Sequence, residues 1–200
     1  MKKTLTLTLI VCSLSVAAQT SKGSFMIGGN GSLIFNNNRI DAAATQKTSS
    51  FNLSPIAGFF VAKNLNVGLS LPFELSWSKS TLPSSSEEYK GNGRSTGVAP
   101  FVRYYIPVKS WFIVAEGTYG WYYSKNSIEI INQTNGNVIG TYENSSHNKR
   151  YSFAAGPAFF LSPYTSIEIL ATYQHIDLEA TNQSRFYVSV GFQIYLPSKK

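Results

Sequence analysis

Three things are scarce in this 200-residue chain. Charge is the first: Asp, Glu, Lys and Arg together make up 14%, against about 25% in average soluble proteins. A surface covered in charged side chains is therefore excluded. Cysteine is the second, with Cys12 alone, so no disulfide framework is available. Long apolar runs are the third. No stretch of about 18 apolar residues occurs, so no membrane-spanning helix is expected. What is abundant is aromatic: 12 Tyr, 13 Phe and 3 Trp, beside 15 Gly. That mixture suits β-strands and tight turns.

The first residues read as a separate segment. Met1-Lys2-Lys3 is a short basic start, residues 5–16 are apolar with interspersed Thr and Ser, and Val16-Ala17-Ala18 offers small residues before a cut ahead of Gln19. This is the pattern of a secretory signal peptide over 1–18, which leaves 19–200 as one domain. Cys12 falls inside the apolar region. Val11 stands where a lipoprotein signal needs a small residue, so Cys12 is not an anchor. The formal charge is +7, from 17 basic and 10 acidic residues. The leader holds two lysines and no acid, so the mature chain would carry +5. Its basic residues are scattered among acids, which does not make a nucleic-acid stripe.

Residues 65–77 set the pattern for the rest. Every odd position from Leu65 to Trp77 is a large apolar residue. The even positions are Asn66, Gly68, Ser70, Pro72, Glu74 and Ser76. Period-2 alternation places the two sets on opposite faces of a strand. Seven further strands are expected at 23–35, 51–61, 93–106, 111–124 (with a continuation toward 131), 147–161, 166–179 and 184–196. Lys63-Asn64, Pro107-Val108-Lys109-Ser110 and Ser162-Pro163-Tyr164-Thr165 are short turns. Polar loops are expected at 36–48, 79–92 and 132–144, and a brief loop at 180–183. The fold class is all-β: an eight-stranded antiparallel up-and-down barrel.

Alternation alone suits a soluble lipocalin-like barrel as well as a membrane barrel. The polar face decides between them. It is mainly Gly, Ser, Asn, Ala and Thr, which fits a cramped interior better than a soluble surface. The apolar face gathers Trp77, Trp121, Tyr123 and Tyr151 toward the loop end, and Tyr104 and Trp111 toward the turn end. Two aromatic rings of this kind mark the two interfaces of a bilayer. A closed barrel also pairs its backbone groups, as lipid requires.

This pattern, together with the ending Val188-Ser189-Val190-Gly191-Phe192-Gln193-Ile194-Tyr195-Leu196, resembles the small outer-membrane β-barrel family of the OmpX and OmpA type, also called the porin family. The resemblance covers the whole mature chain. It implies a monomer in the cell outer membrane with both termini periplasmic and the long loops extracellular. Its implied partners are outer-membrane lipid and lipopolysaccharide, the barrel-insertion machinery during biogenesis, and an extracellular ligand through the loops. Members commonly finish on a terminal aromatic residue, whereas here Pro197-Ser198-Lys199-Lys200 follows the last strand.

Six charged residues lie on polar-face positions or near strand ends: Glu74, Arg103, Glu116, Arg150, Glu168 and Arg185. They are expected to form an interior network that fills a barrel only side-chain wide. Arg103 and Glu116 are expected to meet diagonally across the Pro107–Ser110 turn. Arg94 is a further candidate.

His147 sits at the loop end. His175 and Asp177 share the apolar-face parity near the outer rim. Lipid A deacylase barrels use a His with a Ser two residues on. Here Tyr173-Gln174-His175-Ile176-Asp177 puts Asp in the nucleophile position, so no enzyme is expected. No His/Cys cluster has metal-ligand spacing, and Gly28-Gly29-Asn30-Gly31 is not a phosphate loop. No cofactor is expected. The expected role is structural or surface-interactive, with a plugged interior. The alternatives are a narrow porin, a lipid A-modifying enzyme and a soluble binder.

Overall fold

A computed structural model describes residues 20–41, 44–81, 87–178 and 182–198, without the side chains of residues 38–41 and 44. The expected signal peptide lies outside the described residues. The ordered segments are β1 (Phe25–Asp41), β2 (Ala44–Ala62), β3 (Leu65–Ser70), β4 (Phe73–Thr81), β5 (Glu87–Val108), β6 (Trp111–Asn132), β7 (Val138–Ser162), β8 (Thr165–Asp177) and β9 (Asn182–Leu196). Each is antiparallel to its neighbours, and β1 pairs with both β2 and β9, so the sheet closes on itself.

β3 and β4 are two halves of one stave, so the wall has eight staves. The ladder lapses at Leu71 and Pro72, where proline has no N–H to donate. The register does not slip. Ile56 opposite Ser70 and Leu53 opposite Phe73 belong to one uninterrupted count. Leu71 N donates to Pro55 O (2.9 Å) and Gly97 N to Pro72 O (3.0 Å), which hold the break to both neighbours. Residues 65–77 are therefore one stave, as expected, but not one unbroken strand.

The stagger of the wall follows from the register. A path of paired residues runs from Phe25 through Phe59, Val67, Val102, Gly117, Phe153 and Tyr173 to Phe186. Extending the β9–β1 register from there returns the path to Phe35, ten residues along β1. With eight staves that offset tilts the strands by about 40°, within the range for such barrels. The β1–β9 ladder itself covers only Phe25–Gly31 against Val190–Leu196.

Side chains alternate as the sequence predicts. Leu33, Phe35, Phe153, Phe186 and Val190 stand on the outside, with Phe35 75% exposed. Met26, Phe60, Phe101, Tyr105, Phe112, Leu170 and Tyr195 are buried inside. An apolar exterior on a closed sheet is stable only where lipid covers it. Trp77, Tyr104, Trp121, Tyr123 and Tyr151 all project outward, and Trp111 stacks on Phe159 at 6.1 Å.

The loops are shorter than the sequence suggests. β1 and β2 continue to Asp41 and from Ala44, β4 and β5 to Thr81 and from Glu87, and β7 starts at Val138. Of the residues expected to loop, 36–41, 44–48, 79–81, 87–92 and 138–144 thus extend the hairpins as strand. Antiparallel pairing of the backbone needs no apolar side chains, so Asn, Ser and Thr continue a ladder that begins in the barrel wall. At the other end the turns are two residues long. Asn64 and Lys109 adopt φ of 66° and 49° there, the left-handed region that tight hairpins require.

Candidate interior site and loop-end vestibule

The interior is layered. At the turn end lies an aromatic layer of Phe60, Tyr105, Phe112, Phe160 and Tyr195. Its rings pack 5.0–6.2 Å apart, among them Phe60–Tyr105 at 5.7 Å and Phe160–Tyr195 at 5.0 Å. These inward aromatics lie on the face expected to be small and polar. They are legible as the alternate parity of the residues beside each short turn.

Above this layer sits the first charge cluster. Arg103 is fully buried. Its Nε donates to Glu116 Oε2 (2.7 Å) and its Nη1 to Glu168 Oε2 (2.8 Å). Tyr105 Oη donates to Glu168 Oε1 (3.1 Å), and Gln193 Nε2 donates to Glu168 Oε2 (3.3 Å). Arg103 and Glu116 are direct partners across β5 and β6, not diagonal ones. The turn between them is Lys109-Ser110, with Val108 opposite Trp111. A four-residue turn at 107–110 would have shifted the register.

The second cluster is nearer the loop end. Glu74 accepts from Arg150 Nη1 at 2.7 Å. It also accepts two parallel bonds from Arg185, Nη1 at 2.6 Å and Nη2 at 2.9 Å. The bidentate fork is the strong geometry for such a pair. Arg150 Nε donates to Asn148 (2.9 Å), its Nη2 donates to Ser95 (2.9 Å), and its guanidinium lies 4.2 Å over the Tyr122 ring. Arg185 Nε donates to Gln174 (2.8 Å). The six interior charges thus divide into one cation with two carboxylates and two cations with one carboxylate. Arg94 is exposed on outward parity near Glu143 and belongs to neither.

The Glu74 cluster separates two spaces. Below it is a small cavity of about 70 Å³, lined by polar and apolar side chains and reaching Glu116 and Thr118. Above it is a vestibule of about 860 Å³, open at the loop end and walled mainly by Ser, Asn, Gln and Thr, with Ile34, Ile128, Ile176 and Arg94 also on its lining. Glu74, Arg150 and Arg185 line both.

On the outer rim, His175 lies directly opposite Ser184 of β9. Its Nδ1 is 2.9 Å from Ser184 Oγ, and Tyr173 Oη donates to the same oxygen at 3.0 Å. His175 stacks on Tyr151, with centroids 4.8 Å apart. With Asp at position 177, the local sequence predicts no hydroxyl beside His175. The cross-strand neighbour supplies one, which local spacing could not reveal. His147 packs against Tyr123 at 5.2 Å.

The chain matches the family model described as outer membrane protein beta-barrel domain over residues 4–193. A search of curated proteins finds no match. Among solved structures, the N-terminal β-barrel domain of Pseudomonas aeruginosa OprF is 11% identical. That match covers 88% of this chain and 98% of that one, with a TM-score of 0.42. Neisserial surface protein A is 14% identical over 86% and 99% of the two chains, with a TM-score of 0.47. The outer membrane protease OmpT from Escherichia coli is 9% identical over 86% and 95%, with a TM-score of 0.40. A fold of this kind does not by itself specify an activity. With the family model spanning nearly the whole chain and an apolar exterior on a closed wall, the protein belongs to the outer membrane protein beta-barrel domain family and resides in the outer membrane.

Proposed function

We propose that this barrel is a structural, surface-interacting component of the outer membrane, closed to solute flow and without catalytic activity. The observation behind the reading is the filled interior, with an aromatic layer beneath two ion-pair clusters. In an eight-stave barrel the bore is about as wide as the side chains that fill it. The six charges Glu74, Arg103, Glu116, Arg150, Glu168 and Arg185 act as the seal. Residues 1–18 direct export, both termini lie in the periplasm, and the extended hairpins face outward. The protein works as a monomer among lipid and lipopolysaccharide, after delivery by the insertion machinery. Trp77, Tyr104, Trp111, Trp121, Tyr123 and Tyr151 sit at the lipid headgroups.

A narrow porin is the second reading. It is favoured by the two spaces that share the Glu74 cluster as a common wall. Planar bilayer recording separates the two. The closed barrel is expected to leave the bilayer silent at 1 M KCl, and reproducible unitary current steps from the wild-type protein would establish the porin. Mass spectra of lipid A incubated with the protein are expected to show no change. Loss of an acyl chain would assign catalysis to the His175–Ser184 pair.

A further inference from the structure

We propose that the loop-end vestibule binds a soluble acidic oligosaccharide. This rests on the reading that the loop end is the interacting surface, and it names the ligand chemistry of that surface. The space of about 860 Å³ falls within the roughly 300–1,000 Å³ of small-molecule sites.

Its walls decide the ligand class. Asn36, Gln46, Asn126 and Asn144 present amides that both donate and accept, so they match sugar hydroxyls, which also do both. Tyr142 lies on the inward parity of β7, is 64% exposed and lines the same space. An exposed aromatic ring gives an apolar face for the C–H side of a pyranose. A wholly apolar ligand would leave these amides without partners.

The floor decides the charge. Arg150 and Arg185 face one carboxylate, Glu74, which leaves an excess of one positive charge at the base of the vestibule. A guanidinium has five N–H groups. The bonds from Arg185 to Gln174 and Glu74 use three of them, which leaves two for a sugar carboxylate. No other Asp or Glu lines the vestibule among the described residues. A cation set inside a concave wall also raises the local concentration of anions.

The test uses the full mature protein folded in detergent, titrated calorimetrically at low salt with trigalacturonate and with neutral maltotriose. Trigalacturonate is expected to bind at least tenfold more tightly than maltotriose, with the difference fading in 0.5 M NaCl. Arg185→Gln is expected to weaken trigalacturonate at least tenfold. Glu74→Gln is expected to tighten it, because the competing carboxylate is removed. Two residues serving only structure would weaken binding together, so the opposite signs are diagnostic. Ser146→Trp, which narrows the vestibule away from the charge cluster, is expected to abolish binding of both sugars and keeps the test open if Glu74→Gln does not fold. Equal affinity for the two sugars, no saturable heat with either, or binding unchanged in Arg185→Gln and Ser146→Trp would each overturn the inference. Any of these with a silent bilayer leaves the closed barrel standing, whereas current steps in the bilayer remove the closed barrel instead.

Discussion

Arg103 and Glu116 face each other directly across the β5–β6 ladder, with Nε and Oε2 2.7 Å apart inside the barrel. Glu168, from the opposite side of the bore, holds the same guanidinium at 2.8 Å. One cation is therefore shared by two carboxylates. Removing one partner of a buried pair is costly, because the other charge stays buried. Glu116→Ala leaves Arg103 paired to Glu168 and should cost about 1–2 kcal/mol. Arg103→Ala strands two carboxylates and should cost about 3–5 kcal/mol. Urea unfolding followed by tryptophan fluorescence ranks the two, and an equal loss would contradict the shared-cation geometry.

The aromatic layer makes a separate prediction. Phe60 is fully buried and packs against both Tyr105 and Tyr195. Phe60→Ala should destabilise the barrel by about 3–5 kcal/mol through lost burial and the cavity left behind. The unheated band on an SDS gel should then shift to the boiled position at a lower temperature than wild type.

Gly156 marks where the wall tolerates no side chain. A Cβ there would press on the Ile169 carbonyl oxygen of β8, which is backbone and cannot swing aside. Gly156→Ala should cost about 1–3 kcal/mol and lower the yield of folded protein. A folded yield equal to wild type would show that the strands part more easily than this contact implies.

Outside the membrane, Lys79 and Lys90 flank Glu88 on the extended β4–β5 hairpin, with nitrogens 2.8 and 3.5 Å from its carboxylate. The hydrogen bond and charge of Lys79, with the charge of Lys90, hold the Glu88 carboxyl below the usual carboxylate range. A depressed folded value stabilises the fold above the unfolded value, and the effect is lost as pH falls through the folded one. Hairpin protection against protease should decline on acidification in wild type. Glu88→Gln should start lower and lose less, and the difference should shrink in high salt.

Much of the molecule is legible in its sequence, and the misses share a cause. Residues 65–77 and 184–196 read correctly because alternation reports which face is covered. The polar stretch at 36–48 reads as loop because side-chain pattern is silent about a ladder continuing into water. Register is harder still. Placing the β5–β6 turn at four residues instead of Lys109-Ser110 is enough to turn a direct Arg103–Glu116 pair into a diagonal one. Ser184 escapes notice for a related reason: it is nine residues from His175 in sequence yet opposite it in the sheet.

Alternation by itself determined the two faces of every stave, because a one-residue slip would turn a whole row of apolar side chains into the bore. With the small, sparsely charged make-up of the polar face, it determined that the exterior is apolar and which charges point inward. Only the tertiary structure decided which of those charges meet. Glu74, Arg150 and Arg185 sit on the third, sixth and eighth staves. The ten-residue stagger of the tilted wall brings their side chains into contact across a bore only side-chain wide. That stagger arises from closing the whole sheet, and no local stretch of sequence contains it.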